Sequence, residues 1–172
     1  MISFDVRSLN LLQRVLLVND GTLTDALEAA LLQRITLVKI AVDIATAAAP
    51  IEALELDAGA PLMSRKILLR GETSGANYVY AETLIALDRL SPELREQLVN
   101  TNNPVGRLWV EHRLETRKEI LRMWRAPAAE LSGYFGVAPE TGLLARSYRV
   151  FSAQRPIMLI TEYLRMDLVE PA

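Results

Sequence analysis

The sequence contains no cysteine and a single histidine, His112, in 172 residues. Without thiols there is no disulfide, no cysteine nucleophile and no cysteine-based zinc site, and a Ser-His-Asp triad depends on that one imidazole. Lysine is scarce as well. Of the 19 cationic side chains only Lys39, Lys66 and Lys118 are lysines, leaving 16 arginines. A guanidinium grips carboxylates with a planar fork of donors and tolerates burial, so this imbalance permits an anion site, although a GC-rich genome produces the same count. An excess of positive charge is also missing. The formal net charge is -2, which offers no broad positive field for nucleic acid and excludes it as an expected partner. No apolar run approaches the roughly 20 residues that span a bilayer, and MISFDVRSLN is neither a basic leader nor an export-type apolar stretch. The expectation is a cytoplasmic protein with no membrane partner.

What is present is material for a core. The chain is 51% hydrophobic and 23% charged, a globular composition, and its length matches one domain over residues 1–172. In DVRSLNLLQRVLLVND, Val6, Leu9, Leu12, Leu16 and Leu17 recur at spacings of three and four and predict a helix. Asn19-Asp20-Gly21 predicts a turn, and Thr22 to Leu32 a second helix with Thr22 or Thr24 as its N-cap. From residue 34 the period changes to two. RITLVKIAV, SRKILLRG and NYVYAETLIAL read as strands, the last two forming a hairpin around GETSGA. Residues 43–61, with four acids, no cation and two prolines, read as an irregular surface connection.

Ser91-Pro92-Glu93 is a helix start: a capping hydroxyl, a proline where its missing donor costs nothing, and an acid at the positive end. The Asn-rich stretch from Asn100 to Pro104 opposes regular structure. A short helical turn over 105–110 and a strand from about Glu115 to Arg125 follow. ARSYRVFSAQRPIMLITEYLR divides into two strands around residues 152–155. Six strands joined mainly by short turns, with helices at the start and in the middle, describe an α+β fold with an antiparallel sheet.

Glu162 is the most unusual carboxylate. It alternates in step with Met158, Ile160 and Leu164, so it shares a strand face with large apolar side chains, either in water at a frayed strand end or in a pocket with a task. Arg65, Arg70 and Arg149 lie in strands rich in apolar residues. Arg65 shares a face with Ile67, whereas Arg70 falls on the other. His112 sits in a charged Glu-His-Arg setting that favours the surface. The run Arg113, Arg117, Lys118, Arg122 and Arg125, interleaved with Glu111, Glu115 and Glu119, reads as a solvated, salt-bridged face. Trp109, Trp124, Tyr134 and Phe135 read as core. GETSG and SGYFG are too short and wrongly spaced for a phosphate-binding fingerprint.

Taken in order, LLVNDGTLTDALEA, SRKILLRG, NNPVGRLW and RSYRVFSAQRPIMLITEYL resemble the motifs of the chorismate pyruvate-lyase family, which splits chorismate into 4-hydroxybenzoate and pyruvate. The resemblance implies a six-stranded antiparallel sheet of UTRA-like fold, with N-terminal helices and helical flaps over a buried ligand cavity. It implies that Arg65 grips the aromatic carboxylate and that Glu162 contacts the ring oxygen as acid or base. Val105 and Leu23 match the hydrophobes that hold the ligand under the flaps. No cofactor and no metal are implied, because losing the enolpyruvyl group aromatises the ring. The small-molecule partners would be chorismate and 4-hydroxybenzoate. A non-catalytic sensor-like domain for a small aromatic acid is the alternative on the same fold, and a hydrolase using Glu162 with His112 is a weaker third reading.

Overall fold

Two three-stranded meanders meet along one seam. The computed structural model describes residues 4–101 and 104–167. In it, β1 (Ile35–Thr46), β2 (Pro61–Gly71) and β3 (Asn77–Ala86) form the first meander, and β4 (Arg117–Pro127), β5 (Gly142–Ser152) and β6 (Arg155–Arg165) the second. The strand order is β1-β2-β3-β6-β5-β4, and every neighbouring pair is antiparallel. The expected α+β fold with a six-stranded antiparallel sheet is the observed one. Asn102 and Asn103 of the expected loop lie outside the described residues.

Helices α1 (Leu11–Val18), α2 (Leu23–Leu31), α3 (Pro92–Asn100) and α4 (Val105–Glu111) cover one face of the sheet. Helix α1 starts later than the periodicity predicts. A capping box between Asn10 and Gln13 sets its N-terminus, and Val6–Ser8 form a separate 3-10 turn capped by Asp5. Ser91 caps α3 and Thr22 is the N-cap position of α2. The expected surface connection over 43–61 is shorter than predicted, because residues 43–46 continue β1 in register with β2. Their exposed edge position lets polar and small residues pair without a buried face.

The covered face holds two apolar cores side by side. Leu16, Leu17, Leu23 and Leu27 pack on Leu37, Ile67, Ala81 and Leu164. Leu94, Leu98, Leu108 and Trp109 pack on Met63, Ile85, Val150 and Met158. Each fully buried leucine contributes about 2 kcal/mol. Between these cores the sheet carries polar side chains. Arg65, Thr83, Arg146 and Glu162 are all buried on this band, where β2, β3, β6 and β5 run side by side.

The opposite face is covered more thinly, by α5 (Ser132–Phe135) and the 3-10 turns beside it and at Glu52–Leu54. Phe135 is buried there, but Tyr134 is not core as the sequence suggests. It remains 39% exposed and stacks on Tyr80 with ring centroids 5.5 Å apart. Trp124 is likewise only partly buried, edge-on to Tyr163. No helix among the described residues is long and apolar enough to cross a membrane.

Candidate functional site

The polar band opens into a cavity of about 590 Å³, its mouth included. Its floor is the sheet and its roof is the N-terminal ends of α2 and α4. Leu23, Arg65, Val105 and Glu162, which sequence reasoning singled out from four separate segments, all line it. Arg70 and Arg149 do not. Arg70 Nε donates to Asn77 Oδ1 at 2.8 Å, and Arg149 Nη2 pairs with Glu119 at 3.0 Å. His112 Nε2 lies 2.9 Å from Gln97 Oε1 on α3, away from the cavity lining.

Strand register sets the distance between the two charged groups. Arg65 on β2 lies opposite Thr83 on β3, Thr83 lies opposite Ile160 on β6, and Glu162 is one side-chain repeat beyond Ile160. Two strand spacings across and one repeat along give about 12 Å between the Cα atoms of Arg65 and Glu162. Both side chains rise from the same face and line the cavity. Ile67, Leu69, Ala81 and Ile160 supply apolar floor between them.

Arg65 is 2% exposed, and its Nε and Nη2 have no hydrogen-bond partner among the described residues. A buried guanidinium without a counter-charge is costly, and burial pushes its pKa down to about 10. Glu162 is the converse case, a buried carboxylate already supported. Arg146 Nε donates to Glu162 Oε2 at 2.6 Å, and the Tyr148 hydroxyl donates to Oε1 at 2.8 Å. Arg146 is clamped in turn, because its Nη1 donates to the carbonyls of Leu16, Leu17 and Asn19 at the C-terminal end of α1. Burial is the largest single influence on Arg146 and lowers its pKa, but the charge and hydrogen bonds of Glu162 and Tyr148 together outweigh it and the net direction is upward. Burial and Glu162 together push the Tyr148 hydroxyl well above its ordinary value. A carboxylate with two oxygens has about four acceptor positions, so Glu162 retains capacity facing the cavity.

Two further donors line the cavity. The Trp109 indole N–H, on α4, is buried without a partner among the described residues. Lys118, assigned by its charged neighbours to a solvated face, instead reaches inward, with Nζ donating to the Gly21 carbonyl at 2.5 Å and lying 5.4 Å from the Tyr148 ring centre. The strand period explains the difference: Arg117 and Glu119 point outward and pair with each other, so Lys118 between them points to the covered face. The same period was the available signal for Arg146, which alternates with Leu144, Tyr148 and Val150.

The roof is held by specific contacts. Arg107 on α4 pairs with Glu28 on α2 at 2.9 Å, and Glu28 also accepts from the Ile35 N–H at 2.9 Å. Gly106 meets Thr22, where a Cβ added to the glycine would lie 2.4 Å from Thr22 Cγ2.

Solved structures define the class of fold. The effector domain of PhnF from Mycobacterium smegmatis matches with a TM-score of 0.69 over 87% of this chain and 91% of that one, at 19% identity. The C-terminal domain of the histidine utilization repressor from Pseudomonas syringae pv. tomato matches with a TM-score of 0.62 over 81% and 96%, at 11% identity. The chain shares the fold of these two domains. The sequence narrows this further: the chain matches the family described as chorismate pyruvate-lyase Rv2949c-like over residues 17–171, and it belongs to that family. It is 31% identical over 175 residues to the chorismate pyruvate-lyase of Mycobacterium tuberculosis (strain ATCC 25618 / H37Rv), covering 98% of this chain and 86% of the relative. To the chorismate pyruvate-lyase of Mycobacterium leprae (strain TN) it is 30% identical over 161 residues, covering 92% and 76%.

Proposed function

We propose that this protein removes pyruvate from chorismate to give 4-hydroxybenzoate, in the cavity between Arg65 and Glu162. The observation that carries this reading is that an unpartnered buried guanidinium and a supported carboxylate line the same cavity. Arg65 takes the ring carboxylate, where a desolvated charge-assisted fork is strongest. Glu162 accepts from the ring hydroxyl, and the apolar floor between them holds the ring in place. The backbone of Val105 and the side chain of Leu23, at the two roof helices, close over it.

The reaction asks little of the protein beyond this. The bond between the ring and the ether oxygen of the enolpyruvyl arm breaks, the ring loses one hydrogen as a proton, and the released enolpyruvate gains one to become pyruvate. Aromatisation drives the step. The chain's part is to fix the substrate in a reactive conformation, exclude water and move a proton, for which Glu162 is the placed group.

A second reading is favoured by the likeness to effector domains: the cavity binds a small aromatic acid without turning it over. Incubation of the purified protein with chorismate, with pyruvate and aromatic product followed by chromatography, separates the two. Equal amounts of 4-hydroxybenzoate and pyruvate are expected. Tight 4-hydroxybenzoate binding without turnover would select the second reading, and the absence of both would overturn the site.

A further inference from the structure

The cavity is bounded on one side by Lys118 and Tyr148, and behind them lies a second hollow of about 470 Å³, its opening included. Both side chains line both spaces. The outer hollow is walled by Val18, Asn19, Ile120 and Arg146, with the exposed Asp20 at its rim. Apart from Asp20 its polar side chains are donors, and two of them keep an N–H without an acceptor among the described residues. Arg146 is 1% exposed, and its Nη2 is buried with no partner among the described residues; Asn19 Nδ2 is in the same condition. Lys118 makes no ion pair among the described residues, its ammonium resting on a single backbone carbonyl and two aromatic rings. Glu162 is ion-paired with Arg146, and Glu162 and Asp20 act on Lys118 only from beyond ion-pair distance, so the inner and outer spaces together hold two cations, Arg65 and Lys118, with no ion-pair partner among the described residues.

Two uncompensated cations on either side of one carboxylate fit a dianion whose reacting bond lies between its charges. We propose that Lys118, backed by Arg146 Nη2 and Asn19 Nδ2, binds the second carboxylate of the substrate, the one on its enolpyruvyl arm, in the outer hollow. This rests on the chorismate reading of Arg65 and Glu162. In that pose the ring lies over the inner floor, the arm passes Lys118 and Tyr148, and the ether bond sits beside Glu162. Cleavage divides the two charges: the aromatic product keeps only the Arg65 contact, and pyruvate keeps only the Lys118 contact. Lys118 is therefore a residue that distinguishes substrate from aromatic product, which a single arginine site cannot do.

Lys118→Met removes the charge and keeps most of the stem. The expected result is a rise of about 10- to 100-fold in KM for chorismate, the range of one charge-assisted hydrogen bond, with kcat within about threefold. The Kd of 4-hydroxybenzoate, measured by calorimetry on the same variant, should change less than about twofold, and Lys118→Arg should recover most of the lost KM. Inhibition by added pyruvate should weaken in Lys118→Met. A parallel loss of chorismate and 4-hydroxybenzoate affinity would overturn the proposal, because it would mean that Lys118 merely holds the turn at Gly21. An unchanged KM would overturn it too. If the wild-type protein binds without turnover, displacement of 4-hydroxybenzoate by chorismate gives the same comparison as Kd values. Failure of the wild type to bind either compound would instead bring down the underlying assignment of the cavity.

Discussion

Arg146 holds Glu162 from behind, with Nε 2.6 Å from Oε2, while its Nη1 is committed to three carbonyls at the end of α1. One guanidinium thus fixes the carboxylate, the strand pair β5–β6 and the first helix together. Removing one partner of a buried ion pair leaves an uncompensated charge, so Arg146→Met should destabilise the fold by about 3–5 kcal/mol, read by denaturant unfolding. A loss below 1 kcal/mol would show that the clamp is not structural.

Glu162→Gln keeps the shape and removes the charge. Turnover of chorismate should fall by about 10²- to 10⁴-fold, the usual contribution of a positioned proton-transfer group, with 4-hydroxybenzoate affinity changing far less. Comparable losses in both would argue that Glu162 only binds.

Arg65 makes the opposite trade. Its charge is buried without a partner, so Arg65→Met should raise the stability of the unliganded protein by about 1–3 kcal/mol while abolishing measurable 4-hydroxybenzoate binding. Thermal melts with and without ligand report both effects. A destabilised Arg65→Met would mean that the guanidinium has a structural partner.

The roof responds to pH through Glu28. The Ile35 N–H, and then Arg107, hold its carboxyl below the ordinary value of 4.5. A carboxyl depressed in the folded state adds stability that is fully present above its unfolded value and is lost as pH falls through the folded one. The melting temperature of the wild type should therefore fall more steeply below about pH 4.5 than that of Glu28→Gln. Parallel pH profiles of the two proteins would contradict this.

Strain is concentrated in the β5–β6 turn, where Ala153 and Gln154 have φ of 47° and 63°. Two consecutive positive φ values suit Asn-Gly rather than Ala-Gln. Ala153→Asn combined with Gln154→Gly should stabilise the protein by about 1 kcal/mol without changing turnover, as checked by melting and by assay.

Residue order alone was enough to define the hairpins, the α3 start at Ser91-Pro92 and the strand faces of Arg65 and Glu162, because these are local. A period of two places a side chain on a face, and a capping residue ends a helix, whatever lies across from them. Local pattern also misled. Lys118 sits among alternating charges and reads as surface, although its strand neighbours Arg117 and Glu119 take the outward positions. Tyr134 reads as core and is half open, because α5 covers the far face only in part.

Tertiary structure alone decided that β3 pairs with β6. This seam brings Arg65 and Glu162, 97 positions apart in the chain, to the lining of one cavity. It also decided which arginines matter. The period of β5 puts Arg146 and Arg149 on opposite faces, but which of the two becomes the clamp on Glu162 and which the partner of Glu119 depends on the face the helices cover. That choice is a matter of which apolar stripes pack together, a property of the whole chain. In a chain without cysteine and nearly without histidine, that packing buries Arg65, Arg146 and Glu162 on one face of the sheet, where they form the candidate site.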